Sequence, residues 1–221
     1  MDEIIEIDEL EKPESCMKYE TLSKKIISNI EKVVRQSYHY KIFIFYLKSV
    51  LNLNECAFYE GYSISNGLSV ELHHSPFTLY EYVYAVAKRH LDRDGYFRIM
   101  NVASEVSKLH YQFLVGLVPL NPTCHKLVHS QSLKIHPDLV NGYWETFYEK
   151  YQDWASDSLK KTMESAVFEK NNTNKDAYPT ILRRSENIFK QNNVKSIKDI
   201  NISKMLTDMK LKSLELLEKE K

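Results

Sequence analysis

The spacing of apolar residues along the chain predicts a mostly helical protein. Within residues 18–36 the apolar positions recur every three or four residues, which is typical of a helix with one buried face. The same spacing predicts helices over residues 40–51, 78–91 and 100–111, and in the C-terminal part over 138–170, 178–190 and 196–219. Thr78 is suited to capping the third helix, and residues 92–96 predict a turn after it.

Three short segments have the pattern of strands instead. Residues 68–73 alternate between apolar and polar positions, and the apolar segments 56–58 and 115–120 are too short for independent helices. Pro76 has no N–H to donate to a sheet, so the strand over 68–73 should stop near His74. These segments predict a small sheet within a helical protein.

A helix should follow the apolar segment 115–120 directly. Asn121 is a favoured cap because its side chain can accept a hydrogen bond from the first turn, and Pro122 fits the first helical position. We expect this helix to reach about Ser130. The predicted fold class is therefore α+β, predominantly helical.

The composition fits a folded chain with a sizeable core. The 221 residues are 43% hydrophobic, and the 5 Gly and 6 Pro agree with a mostly helical protein. The three cysteines, Cys16, Cys56 and Cys124, are widely spaced, which excludes a four-cysteine zinc site and argues against a disulfide framework. We expect a reducing, cytoplasmic location, with no signal peptide and no membrane span.

The formal net charge of zero conceals an uneven distribution. Residues 1–15 contain seven acidic residues and one Lys, so the remaining chain carries a net positive charge. We interpret residues 1–16 as a flexible acidic arm and the rest as a mildly basic body that can bind phosphate groups locally. The candidate nucleic-acid contacts are Lys88, Arg89, Arg93 and Arg98, although a solvated turn explains these cations nearly as well.

Two pairs of histidines are the candidates for chemistry. His125 and His129 lie four residues apart on a predicted helix, so their rings share one face and can bind one metal ion. His73 and His74 are adjacent, and in a regular strand their side chains would point to opposite faces. Both can serve one site only if the strand ends or twists there, which Pro76 makes plausible.

The segments 69–74 (SVELHH) and 115–129 (VGLVPLNPTCHKLVH) resemble the HNH, or ββα-metal, nuclease family, in particular the DNase domains of colicins. The resemblance implies two strands and one helix around a single divalent metal ion. It implies His73, His125 and His129 as metal ligands and His74 as the general base that activates water.

The function that this resemblance implies is hydrolysis of phosphodiester bonds in DNA by a one-metal mechanism, with RNA left open as a substrate. Three imidazole ligands favour Zn²⁺, Ni²⁺ or Mn²⁺ over Mg²⁺ in affinity, which does not identify the metal that supports turnover. Compact HNH proteins are often encoded by phages, so we expect a phage origin and the host cytoplasm as the location.

The resemblance also divides the chain. The acidic arm covers 1–16, N-terminal helices cover 17–55, an HNH core with a helical insertion at 77–112 covers 56–132, and a helical region covers 133–221. The last region has no evident chemistry, so we expect its helices to bind a partner protein or a second copy of the chain.

Gly116 departs from the family pattern. It stands nine residues before His125, where the family has the Asn that braces the loop carrying the general base. Asn121 lies five residues too late to replace it and fits a helix cap better. The sequence does not identify another brace.

Two alternatives to a nuclease therefore stay open. One is a catalytically inactive HNH fold used for nucleic-acid binding or assembly, which the loss of the Asn favours. The other is a helical interaction protein whose histidines are structural. The remaining candidate residues are expected to have structural roles. Cys56 and Cys124 should lie in the core. Three further histidines should lie on the surface or at element ends: His90, His110 and His136.

Overall fold

The described part of the computed structural model, residues 18–172, consists of helices around a two-stranded sheet. It confirms an α+β fold that is predominantly helical. The acidic arm predicted at 1–16 and the helices predicted at 178–190 and 196–219 lie outside the described residues. The elements are α1 (Lys24–Gln36), α2 (Tyr38–Ser49), β1 (Glu71–His74), α3 (Leu79–Asp94), α4 (Ile99–Tyr111), β2 (Leu117–Leu120), α5 (Pro122–His129), α6 (Trp144–Tyr151) and α7 (Asp157–Asn172).

Local sequence signals determine where α3 begins and ends. The hydroxyl of Thr78 accepts the N–H of Glu81, and the Glu81 carboxylate accepts the backbone N–H of Thr78 at 2.8 Å. This reciprocal cap satisfies two backbone donors at the helix start. The helix continues to Asp94 and ends at Gly95, whose φ of 74° is the left-handed conformation that glycine tolerates. The turn predicted over 92–96 is therefore shorter than expected.

The strand predicted over 56–58 is wrong. Glu55 makes an isolated bridge with Ser63, and the N–H of Ala57 donates to the carbonyl of Pro119 at 2.8 Å. Because Pro119 has no N–H to return, the pairing with β2 does not extend into a ladder.

The continuous helix predicted over 138–170 is also wrong. The segment contains a 3₁₀ turn at Pro137–Leu139, then α6, a second 3₁₀ turn at Gln152–Trp154, and α7. Gly142 has a φ of 126° just before α6, a backbone angle that no helix contains. Apolar spacing did not reveal these breaks because both helices bury residues against the same core.

Most buried apolar side chains form one core in which α1, α3 and α4 pack against one another. The predicted insertion between the strands, which contains α3 and α4, supplies much of this core and is the body of the fold. A smaller core joins α2 to the start of β2 through the following residues: Phe43, Leu47, Leu51, Leu53, Tyr111, Phe113 and Leu117. Among the described residues, no helix is long and apolar enough to cross a bilayer.

Candidate metal centre

A β–β–α unit places the histidine pairs side by side. Strands β1 and β2 are antiparallel, with Glu71 opposite Leu120 and His74 opposite Leu117. The side chain of Asn121 accepts the N–H of Cys124 at 2.7 Å, so α5 starts directly after β2, as predicted. The short connection holds α5 against one face of the hairpin.

His73, His125 and His129 converge on one point. One ring nitrogen from each lies within 4.8 Å of the others. The Nε2 atoms of His125 and His129 are 3.1 Å apart, and the His73 ring centroid lies 5.0 Å and 5.1 Å from those two rings. Three imidazoles at this spacing can bind one transition-metal ion and leave a coordination position open. The structure thus brings together the three residues predicted as ligands.

Glu71 is a member of this site that the sequence interpretation missed. Its Oε2 accepts a hydrogen bond from Nδ1 of His125 at 2.5 Å. This contact leaves Nε2 of His125 with its lone pair directed at His129 and the cluster, which is how carboxylates orient metal-binding histidines. Strand periodicity contained the signal, because Glu71 and His73 are two residues apart and share a face.

The electrostatics of the cluster favour neutral ligands. Burial, followed by the neighbouring His125 and His129, lowers the pKa of His73 from 6.5 to about 4. At neutral pH its imidazole is unprotonated, which metal ligation requires. The donor set, the converging nitrogens and the Glu71 hydrogen bond together fit a divalent transition metal.

His74 lies on the other face of β1, away from these rings. It is 6% exposed, its ring stacks on Tyr40, and its Nε2 lies 3.2 Å from Nε2 of His110. Nδ1 of His110 donates to the carbonyl of Val106 at 2.8 Å, so its Nε2 accepts and Nε2 of His74 donates. Burial and His110 lower the pKa of His74 well below its ordinary value. The structure therefore does not place His74 in the three-histidine cluster.

Gly116 is required by close packing of the main chain. A Cβ there would lie 2.0 Å from the Ser75 carbonyl oxygen. The N–H of Ser75 donates to the Gly116 carbonyl at 3.1 Å, and the Gly116 N–H donates to the hydroxyl of Tyr82 at 3.0 Å. These contacts hold the loop after His74 against the residue that precedes β2.

A cleft opens between the end of β1 and α7, beside the cluster. Its cavity volume is about 260 Å³. His73 and His74 line one end, and Lys134 contributes a positive charge to the wall. The α7 residues that line the cleft include Thr162, Ser165 and the acidic Glu169, so the wall contains both charges.

The other predicted contacts lie elsewhere. Three of the four candidate cations are engaged by carboxylates, since Lys88 pairs with Asp92, Arg89 with Glu105 and Arg93 with Asp94. The fourth, Arg98, precedes α4. None of the four lines the cleft or joins the three-histidine cluster.

Three further histidines were expected at the surface or at element ends. His110 is buried at 1% exposure, so that expectation is wrong for it. His90 is also buried, and its Nε2 lies 2.9 Å from Glu105. The His136 ring accepts the N–H of Asp138 at the start of a 3₁₀ turn, which confirms its expected position at the end of an element. Helical spacing alone did not distinguish a buried histidine from an exposed one.

Cys56 and Cys124 lie in the core, as expected. Burial, followed by Cys56, raises the pKa of the Cys124 thiol to about 11. Cys124 is therefore a neutral thiol at neutral pH, and it is outside the three-histidine cluster. Although adjacent to His125 in sequence, it points into the core.

Comparison with known proteins identifies the family of the chain but no individual relative. No curated protein and no solved structure matches the chain. Residues 5–210 match the model of a family described as bacteriophage G278-like virion protein. The match agrees with the expected phage origin, and its description names no enzymatic activity. Since it spans most of the sequence, the chain belongs to the bacteriophage G278-like virion protein family.

Proposed function

We propose that this protein is a metal-binding component of the phage particle, with one divalent ion held by His73, His125 and His129. The observation that carries the proposal is the convergence of three ring nitrogens within 4.8 Å at a β–β–α unit. Imidazole-rich sites favour Zn²⁺ or Ni²⁺ over Mg²⁺, and three ligands suit a tetrahedral ion with one open position. We favour Zn²⁺ as the ion.

The metal would join strand β1 to helix α5. His73 lies on β1, whereas His125 and His129 lie on α5, a helix of only eight residues. A short isolated helix is marginal in water, so a ligand shared with the hairpin would stabilise it. His74 is buried on the opposite face of the same hairpin, where its packing stabilises β1.

The proposal is tested by metal content in protein prepared without a histidine tag. We expect one equivalent of Zn²⁺ or another transition metal per chain, and less than a tenth of that in His73→Ala and His129→Ala. The matched control is His136→Ala, which removes a histidine outside the cluster. Equal metal content in all four proteins would reject the site.

Phosphodiester hydrolysis is a second candidate, favoured by the cleft that His73 and His74 line together. A bound metal would supply a Lewis acid for a phosphoryl oxygen. Lys134 would attract the phosphate, and His74 would have to accept a proton through Nδ1, since Nε2 donates to His110. The lowered pKa of His74 makes it a weak base, which argues for slow turnover.

The two candidates differ in a cleavage assay. Plasmid DNA and single-stranded RNA are incubated with metal-loaded protein and with His73→Ala and His74→Ala. If the protein is a nuclease, the wild type cleaves a substrate and the cleavage rate of both variants is at least tenfold lower. If the protein is fully occupied by metal and cleaves neither substrate, the result supports the metal-binding role and rejects the nuclease.

A further inference from the structure

The cleft between β1 and α7 contains a buried hydroxyl that the described chain does not satisfy. Ser75, in the loop after β1, lines the cleft and is only 7% exposed. Its backbone N–H donates to Gly116, but its hydroxyl has no hydrogen-bond partner among the described residues. Because buried polar side chains are nearly always hydrogen-bonded, such a hydroxyl at a cavity wall indicates a position for a water molecule or a ligand.

Lys134 supplies a positive charge to the same cleft. It lies on the connection after α5, and within the described part of the chain no carboxylate forms an ion pair with its ammonium group. Glu169 of α7 adds a negative charge to the wall. Since electrostatic repulsion grows with charge, Glu169 opposes a dianion more strongly than a monoanion. The charges of the cleft therefore favour a ligand with a single negative charge.

The remaining lining of the cleft is largely apolar. It includes the following side chains: Pro76, Val128, Ile135, Pro137 and Ala166. An apolar lining with a few fixed polar groups is typical of a site for a small organic ligand, in which the polar groups set the orientation. The cavity volume of about 260 Å³ limits the apolar part to a short group.

We propose that this cleft binds a carboxylate attached to a short, branched apolar group. The carboxylate would pair with Lys134 and accept a hydrogen bond from the hydroxyl of Ser75, while the apolar group packs against Val128 and Ile135. A free carboxylic acid and the C-terminal residue of a peptide share this chemistry. Neither Lys134 nor Ser75 is a proposed metal ligand, so the site is independent of the metal ion.

The test is a titration of the full-length protein followed by two-dimensional NMR of its backbone amides. Metal is first removed with a chelator, which is then dialysed away. The probe for a free acid is 4-methylpentanoate, and the probe for a peptide C-terminus is N-acetylleucine. We expect saturable shifts at Val128, Ile135 and Ala166 with at least one probe, and the probe that binds more tightly identifies the source of the carboxylate.

Two further compounds separate the contributions of charge and shape. The amide 4-methylpentanamide has nearly the same shape as the acid but no charge, and sulfate is a dianion without an apolar group. Both should bind at least about tenfold more weakly than the better carboxylate, because a charged hydrogen bond contributes more than a neutral one.

Matched variants locate the contacts. Lys134→Ala and Ser75→Ala should each weaken binding of the better carboxylate by at least about threefold. Lys126→Ala, which removes an exposed lysine of α5 that does not line the cleft, should bind as the wild type does. Because Lys134 is exposed, its variant should fold, and the same NMR spectra show whether each variant is folded.

Three results would overturn the proposal. One is the absence of shifts at the lining residues with both probes up to about 50 mM, which would leave only water in the cleft. The others are equal affinity for the acid and its amide, and unchanged affinity in folded Lys134→Ala. Because the titrated protein carries no metal, these outcomes do not depend on whether the three-histidine cluster binds an ion.

Discussion

Glu71 accepts a hydrogen bond from Nδ1 of His125, while Nε2 of the same ring lies 3.1 Å from Nε2 of His129. One side of the imidazole is therefore held by the strand, and the other side faces the cluster. This relationship turns a histidine on a short helix into a preoriented ligand.

Removal of the Glu71 carboxylate should weaken metal binding without abolishing it. In Glu71→Gln the His125 ring loses its charged partner, and we expect a fall in metal affinity of roughly 10–100-fold. Competition with a chromogenic chelator measures this change. Glu164→Gln, which alters an exposed carboxylate of α7, should retain wild-type affinity, and an equal loss in both variants would contradict the orienting role.

Gly116 should tolerate no side chain. A methyl group there would lie 2.0 Å from a backbone oxygen, which cannot rotate away, so Gly116→Ala is expected to cost at least ~3 kcal/mol of unfolding free energy. Gly61→Ala is the control, because its added methyl meets nothing and only the left-handed backbone opposes it, at about 1 kcal/mol. Urea unfolding compares the two, and equal costs would show that Gly116 is not tightly packed.

Acid should destabilise the apoprotein through its buried histidines. Burial lowers the pKa of His110 from 6.5 to about 4, so the unfolded state binds more protons between these values. The contribution of neutral His110 to the free energy of unfolding is fully present above pH 6.5. It is lost as the pH falls toward 4, and the loss reaches about 3 kcal/mol.

His110→Gln tests that assignment. Its amide can still donate to the Val106 carbonyl and accept from His74, but it does not titrate. Unfolding free energy measured with chelator from pH 8 to pH 4.5 should fall less steeply in this variant than in the wild type. Parallel pH profiles would assign the acid sensitivity to other groups.

Local patterns predicted parts of the fold and the shared face of two candidate ligands. Asn121 and Pro122 predicted the start of α5, and the four-residue spacing of His125 and His129 predicted their shared face, because helix geometry and capping are local. Thr78 predicted the start of α3 for the same reason. The alternation over residues 68–73 predicted a strand where the structure has β1.

What the patterns did not give depends on tertiary contacts. The burial of His74 against His110 and Tyr40 arises from packing between β1, α2 and α4, which no local spacing encodes. The contacts at Gly116 join it to the backbone of Ser75 and the hydroxyl of Tyr82, which are distant in sequence, so no local pattern marked them.

The central claim is that His73, His125 and His129 share one metal ion. The most direct measurement is X-ray absorption spectroscopy at the edge of the metal that copurifies with the tag-free, full-length protein. We predict a first shell with three imidazole nitrogens at about 2.0–2.1 Å, lost in His73→Ala. A first shell without imidazole, or one that is unchanged in His73→Ala, would contradict the account.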